Sequence, residues 1–258
     1  MMDSLLQLNT LAYYYGSTGY GEGSSMGGGS MLGLILLGLT ALISFAVQQN
    51  MQAKMKQYSQ EPAPLTGAET AERILRENGI THVRVISTPG QLTDHYNPSD
   101  LTVNLSEMVY NQRSVAAMAV AAHECGHALQ HAESYAWLQL RSSLVPMVGF
   151  GAKFGQIVLI AGLIMLSMGS GTTVAWIGLT LFATTTLFAL ITLPVEFDAS
   201  RRALAWMQHS GVVSPNMQGE AKSALSWAAM TYVSAALSSI AMILYYAMML
   251  LGRGNNRD

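Results

Sequence analysis

Four long apolar segments, separated by a more polar stretch and two shorter connections, dominate the hydropathy pattern of this chain. They lie at 31–47, within 144–168, at about 172–193 and at about 229–251. Each is long enough, or nearly so, to cross a bilayer as a helix. Lys153 interrupts the second segment, and it either snorkels toward the interface or is a functional charge inside the membrane. The pattern predicts a mainly α, polytopic membrane protein with about four transmembrane helices.

Between the first two apolar segments the pattern changes to short periodic elements. Thr66 and Glu69 have the spacing of a capping box, which predicts a helix that ends at Gly79. Residues 82–87 and 101–105 alternate between apolar and polar positions, as β-strands do. The two strands flank a turn-rich stretch. They form either a structural hairpin or an edge that pairs with an extended peptide substrate.

An alanine-rich run then predicts a long helix from about Ser114, as its N-cap, to Glu133. The helix contains the motif H-E-x-x-H, in which His123 and His127 leave the same face one turn apart. Two such imidazoles can bind one zinc ion. The alternative is a pair of ordinary, partly buried histidines that hydrogen-bond to backbone carbonyls.

Glu124 lies between the two histidines, where it can take a proton from a zinc-bound water. Zinc lowers the pKa of that water to about 7. The motif therefore predicts metal-assisted hydrolysis, most often of a peptide bond. Cys125 points away from the metal-facing side, so we expect it to be a small packing residue. His95, Tyr96 and His131 are candidates for stabilising the oxyanion or binding substrate.

A catalytic zinc needs a third protein ligand and an open position for water. His131 continues the histidine row, but about 12 Å of helix rise separates it from His123, so it supports the ligands or simply lies on the surface. Glu133 is a minor candidate. Glu196 is favoured, because it follows the third apolar segment just after Pro194, where we expect one helix to end and another to begin.

Glu196 and Asp198 are the only acids between Glu133 and Glu220. A hairpin of the second and third segments would return them to the H-E-x-x-H helix, where Asp198 could orient a ligating imidazole through a hydrogen bond. Alternatively, the two acids balance Arg201 and Arg202 at the membrane interface.

Composition agrees with a membrane protein, since 50% of the residues are hydrophobic and 11% are charged, against about 25% charged in soluble domains. A net charge of −2 and the lack of a basic patch argue against a nucleic-acid partner. One cysteine excludes an intramolecular disulfide. Most lysines and arginines lie in the two long connections, which the positive-inside rule places in the cytoplasm.

These observations predict a small α+β zincin-like domain built from the cytoplasmic connections. The predicted parts are a flexible Gly/Ser-rich extension at 1–30, transmembrane helix 1 at 31–47, the zincin-like domain at 48–143, a transmembrane hairpin at 144–193, a third-ligand helix and connection at 194–228, transmembrane helix 4 at 229–251 and a tail at 252–258.

Three motifs in order carry a family resemblance: G-Q-L-T-D-H-Y at 90–96, A-H-E-C-G-H-A-L-Q-H at 122–131 and L-P-V-E-F-D-A-S-R-R-A at 193–203. From about residue 31 to 251 the chain resembles the YugP-like family of neutral zinc metallopeptidases of bacterial membranes. It is more distantly similar to the HtpX and CAAX-prenyl protease group. The zinc-binding glutamate of that group's E-x-x-x-D motif corresponds to Glu196. At the final position of the motif this chain has Ser200 where the group has aspartate.

The resemblance implies a multi-pass zinc metalloendopeptidase of the bacterial inner membrane, whose active site faces the cytoplasm. His123, His127 and Glu196 would hold the zinc, and Glu124 would be the general base. Substrates would be peptides or proteins, membrane proteins among them. The alternative is a non-enzymatic metal-binding membrane protein, a transporter or sensor. A site-2 type intramembrane protease is disfavoured because the chain has no later Asp-Gly motif.

Overall fold

The computed structural model describes residues 28–254, which form seven helices and three strands. The predicted extension at 1–30 and tail at 252–258 lie outside the described residues, apart from three positions of each. The elements are α1 (Gly28–Tyr58), α2 (Gly67–Glu77), β1 (Arg84–Thr88), β2 (His95–Asn97), β3 (Thr102–Ser106), α3 (Glu107–Asn111), α4 (Val115–Ala132), α5 (Ala136–Ser167), α6 (Thr172–His209) and α7 (Pro215–Gly254). The predicted fold class, mainly α with a small α+β part, is confirmed.

Four helices, α1, α5, α6 and α7, are long and apolar enough to cross a membrane. The described chain divides into two compact units. The first contains residues 47–139 and 192–231, and the second contains the remainder of the described chain. Helix α6 therefore contributes residues to both units.

In the second unit, large apolar side chains point outward and small residues lie between helices. Leu32, Phe45 and Ile157 are 62%, 61% and 64% exposed, as expected of helices that face lipid. The hydroxyls of Ser44 and Ser238 lie 3.0 Å apart and join α1 to α7. Lys153 is exposed on α5, a position that favours snorkelling over a buried functional charge.

The first unit contains a three-stranded sheet in the order β1-β3-β2. Strand β3 pairs parallel with β1, with Arg84 opposite Thr102, and antiparallel with β2, with His95 opposite Asn104. A hairpin of the two predicted strands is therefore wrong. The turn-rich stretch between them contains a third strand, β2, which takes the antiparallel place beside β3 and lies at the edge of the sheet.

The helix ends of this unit follow the predicted capping chemistry. The Thr66 hydroxyl accepts from the Glu69 amide at 3.1 Å, and the Glu69 carboxylate accepts from the Thr66 amide at 2.8 Å. The Ser114 hydroxyl accepts from the Ala117 amide at 3.2 Å and caps α4. Both predicted helices are confirmed, and the short helix α3 is an addition.

Helix α4 lies in the centre of the first unit. Its alanines allow close packing on several faces, and Ala119, Ala121 and Cys125 have no exposed surface. The Cys125 thiol packs toward α2, with its sulfur 3.7 Å from the carbonyl oxygen of Ala71. The prediction that Cys125 is a packing residue is confirmed.

Helix α6 continues through Pro194, so the predicted break between two helices is wrong. A proline removes one backbone donor and one hydrogen bond of the ladder. In this helix of 38 residues the turns on both sides of Pro194 keep their own hydrogen bonds, so the helix does not end there. As a result, Glu196 stands within a long helix and not at the start of a new one.

Gly126 on α4 faces the backbone of Ala199 on α6. A Cβ at position 126 would lie 2.6 Å from the carbonyl oxygen and 2.9 Å from the Cα of Ala199. These atoms belong to backbone and cannot rotate away. Glycine is therefore required here by the close approach of two helices.

Gly126→Ala is expected to destabilise the protein by about 1–3 kcal/mol, because the added methyl group overpacks this contact. Gly219→Ala is the matched control, since nothing lies within 4 Å of a Cβ at that exposed helical glycine. The control should be neutral or stabilised by up to about 1 kcal/mol through helix propensity. Thermal unfolding in detergent measures both, and equal midpoints for the two variants would contradict the packing argument.

Candidate metal centre

Three side chains from two helices converge in the first unit. His123 and His127 of α4 and Glu196 of α6 offer ligand atoms that all lie within 4.8 Å of one another. The Nε2 atoms of His123 and His127 lie 3.3 and 3.7 Å from the same oxygen, Oε2 of Glu196. The predicted trio is thus brought together in space.

The spacing of these atoms suits a tetrahedral zinc ion. Two ligand atoms with bonds of 2.0–2.1 Å at a tetrahedral angle are about 3.3 Å apart. Two imidazole nitrogens and one carboxylate oxygen are also the donor set of known catalytic zinc sites. The side chain of Glu196 is 3% exposed and those of His123 and His127 are 15% and 10% exposed. The group could therefore hold a metal that still meets solvent on the histidine side.

The other nitrogen of each imidazole has a protein partner. Nδ1 of His123 lies 3.1 Å from the hydroxyl of Ser200. Nδ1 of His127 lies 3.0 Å from Oε1 of Gln130. These contacts orient both rings so that the Nε2 atoms point at Glu196.

Glu124 is buried beside this group. Its Oε2 accepts a hydrogen bond of 3.0 Å from the backbone amide of Tyr96 on β2. Burial raises the pKa of its carboxyl from 4.5 to about 7, helped by the negative charges of Glu196 and Asp94 and opposed by His123. A carboxyl with this pKa can exchange a proton near neutrality.

Asp94 holds the chain that leads into β2. Its Oδ1 accepts from the amide and the hydroxyl of Ser106 at 2.7 and 3.1 Å. Burial raises the pKa of Asp94, and the hydrogen bonds from Ser106 oppose that rise. Asp94 thereby ties the start of β2 to the end of β3 and helps to place the Tyr96 amide against Glu124.

Asp198 contacts a ligating imidazole indirectly, which corrects the predicted direct hydrogen bond. Its Oδ2 accepts from Nε2 of Gln130 at 2.9 Å, and Gln130 in turn contacts His127. Asp198 also pairs with Arg201 and with Arg202, whose Nε lies 2.6 Å from Oδ2. The alternative prediction, that this acid balances the charges of Arg201 and Arg202, therefore holds for Asp198.

The remaining candidates lie outside the trio. His131 is exposed, and its Nδ1 lies 2.7 Å from the hydroxyl of Tyr96. Nδ1 of His95 contacts the carbonyl oxygen of Thr93 at 2.7 Å. Glu133 is not a ligand in this arrangement, because it pairs with Arg202 at 2.7 Å.

Sequence reasoning missed three residues that shape the centre. Gly126 is inside the H-E-x-x-H motif, and its close contact could have been suspected from a glycine in a helix interior. Gln130 lies three residues after His127, within reach on the same helix face. Ser200, which stands where the related motif has aspartate, contacts His123 itself.

Comparisons with known proteins identify the family of this chain. Residues 33–251 match the family described as "Putative neutral zinc metallopeptidase". The chain is 42% identical over 227 residues to "Putative membrane protease YugP" of Bacillus subtilis (strain 168), which covers 87% of this chain and 98% of that protein. No solved structure gives a significant match. The chain therefore belongs to the family described as "Putative neutral zinc metallopeptidase".

Proposed function

We propose that this protein is a membrane-embedded zinc metalloendopeptidase in which His123, His127 and Glu196 hold the metal and Glu124 is the general base. The observation that carries the proposal is the position of one Glu196 oxygen opposite both Nε2 atoms, at 3.3 and 3.7 Å. A bound zinc ion would acidify the water it holds and polarise the scissile carbonyl.

Glu124 supplies the proton transfers of the reaction. Its carboxylate accepts a proton from the attacking water as the water oxygen bonds to the carbonyl carbon. The carboxylic acid then gives this proton to the leaving amine as the C–N bond breaks, which returns Glu124 to its ionised form. Zinc would add a positive charge beside Glu124 and favour its carboxylate, the form that accepts this proton.

Strand β2 supports an extended peptide as the substrate. It lies at the edge of the three-stranded sheet, and the Tyr96 amide points toward Glu124 and not into the ladder with β3. A peptide that pairs along this edge would run past the general base. Because Glu124 already accepts from the Tyr96 N–H and the backbone groups of His95 and Asn97 face β3, pairing within β2 would depend on the carbonyl oxygen of Tyr96.

The four apolar helices and the similarity to the protein described as "Putative membrane protease YugP" support a multi-pass membrane location. The proposed location is the bacterial inner membrane, with the active site on the cytoplasmic side. The proposed substrates are peptides or proteins, membrane proteins among them. The distribution of lysine and arginine supports this orientation.

Glu124→Gln is expected to lower the peptide cleavage rate by at least about 10²–10⁴-fold, the usual contribution of a general base. The amide keeps the shape of the side chain and leaves the three ligands intact, so zinc content should not change. Cleavage of a peptide library by purified protein, with zinc measured on the same samples, tests this expectation.

The exposed acid Glu72 on α2 provides the control, and Glu72→Gln should cleave like wild type. Undiminished cleavage by Glu124→Gln would refute the role of the base. Metal flux into proteoliposomes, with no peptide cleaved by the wild type, would instead favour a transporter.

In the metal-free protein, Glu124 should make a pH-dependent contribution to stability that is absent from Glu124→Gln. Because folding raises the pKa of Glu124 from 4.5 to about 7, the wild type binds this proton more tightly when folded. Its contribution to stability is full below pH 4.5, falls as pH rises toward 7 and is lost above that value. The difference between the two proteins should change by about 3 kcal/mol over this interval. Thermal unfolding against pH measures it, and parallel curves would contradict the expectation.

A further inference from the structure

Gln130 connects the histidine helix to the helix of the third ligand. Its side chain is fully buried. Oε1 lies 3.0 Å from Nδ1 of His127, and Nε2 donates to the carbonyl oxygen of Val195 at 2.8 Å and to Oδ2 of Asp198 at 2.9 Å. The amide oxygen of Gln130 therefore contacts α4, and its NH₂ group contacts α6.

The partners of Gln130 allow one orientation of its amide. A backbone carbonyl and a carboxylate are both acceptors, so they must face the NH₂ group. Asp198 is kept as a carboxylate partner by Arg202, which donates to the same Oδ2 atom at 2.6 Å, and by Arg201. The amide oxygen must then face His127.

This orientation decides which nitrogen of His127 carries the proton. An amide oxygen can accept a hydrogen bond but cannot donate one, so Nδ1 of His127 must be the N–H. In a neutral imidazole the other nitrogen, Nε2, then has the free electron pair. That nitrogen faces Oε2 of Glu196 at 3.7 Å, which is where the metal would lie.

His123 offers an internal comparison. Its Nδ1 contacts the hydroxyl of Ser200 at 3.1 Å. A hydroxyl can donate or accept, so this contact is compatible with either tautomer. The two ligating histidines thus differ in how strictly their protons are placed.

We propose that Gln130 is a positioning residue that fixes the proton of His127 on Nδ1 and keeps Nε2 ready for zinc, with its own orientation set by Asp198 and Val195. The inference rests on the proposed function, because it takes zinc to be the metal at this site. Zinc should bind more weakly without this contact, because a His127 with its proton on Nε2 must first move that proton before Nε2 can coordinate the metal.

The first test uses the metal-free wild type. Histidine labelled with ¹⁵N distinguishes a ring nitrogen that carries hydrogen from one with a lone pair, and a spectrum of His127→Asn assigns the signals. At about pH 8, where an ordinary imidazole is neutral, His127 should be the Nδ1–H tautomer. An Nε2–H tautomer at His127 would overturn the proposal, whether or not the protein is a peptidase.

The second test replaces the amide. Gln130→Met has a similar length but no hydrogen-bonding group, and we expect His127 to become a mixture of tautomers. The Kd for zinc, measured by competition with a chromophoric chelator, should rise by about 10–100-fold, as for other residues that support metal ligands. Ser200→Ala is the matched control, since it removes the corresponding contact of His123, and its effect should be smaller.

A Gln130→Met protein with an unchanged tautomer and a zinc Kd within about twofold of wild type would overturn the proposal. Failure of the proposed function has a different signature, which is a wild type that binds no zinc in the same titration. If the wild type binds no zinc, or if Gln130→Met fails to fold, the tautomer of His127 in the metal-free wild type still tests the role of Gln130.

Discussion

Helix α4 carries both imidazoles and Glu124, yet one helix cannot surround a metal ion. The third side chain comes from α6, so the candidate centre depends on how closely the backbones of these two helices approach. Gly126 faces the backbone of Ala199 with no room for a side chain between them. Because Glu196 lies about one turn before Ala199, the contact that packs the helices also sets the carboxylate opposite the imidazoles.

The buried carboxylates around this contact differ in the number of hydrogen-bond donors that they receive. Burying a charge is costly unless hydrogen bonds or opposite charges compensate it. Asp198 receives donors from Gln130 and two arginines, whereas Glu124 receives one backbone amide from Tyr96. Glu124 is therefore the acid whose pKa rises to about 7. The difference in donors separates a structural carboxylate from one that can exchange protons.

Sequence patterns predicted the elements that local physics determines. Capping residues and period gave the helices that begin after Thr66 and Ser114, and the motif with its resemblance gave the residues of the trio. The tertiary features were harder to predict. Strand β2 is three residues long and forms because it pairs with β3. The low helix propensity of proline predicts a helix end at Pro194, but propensity does not include the hydrogen bonds of the long helix on both sides of it. The spacing of Gln130 and His127 suggests their contact, but the bonds of Gln130 to α6 could not be predicted, because Val195 and Asp198 are distant in sequence.

The most direct test of the proposed zinc ligands is a measurement of the metal's inner coordination sphere. X-ray absorption at the zinc K-edge of the wild-type protein reports the number and type of ligand atoms. The proposed centre predicts two imidazole nitrogens at about 2.0–2.1 Å and oxygen atoms, including one of Glu196, at about 2.0–2.2 Å. A third imidazole, or a sulfur at about 2.3 Å, would contradict it.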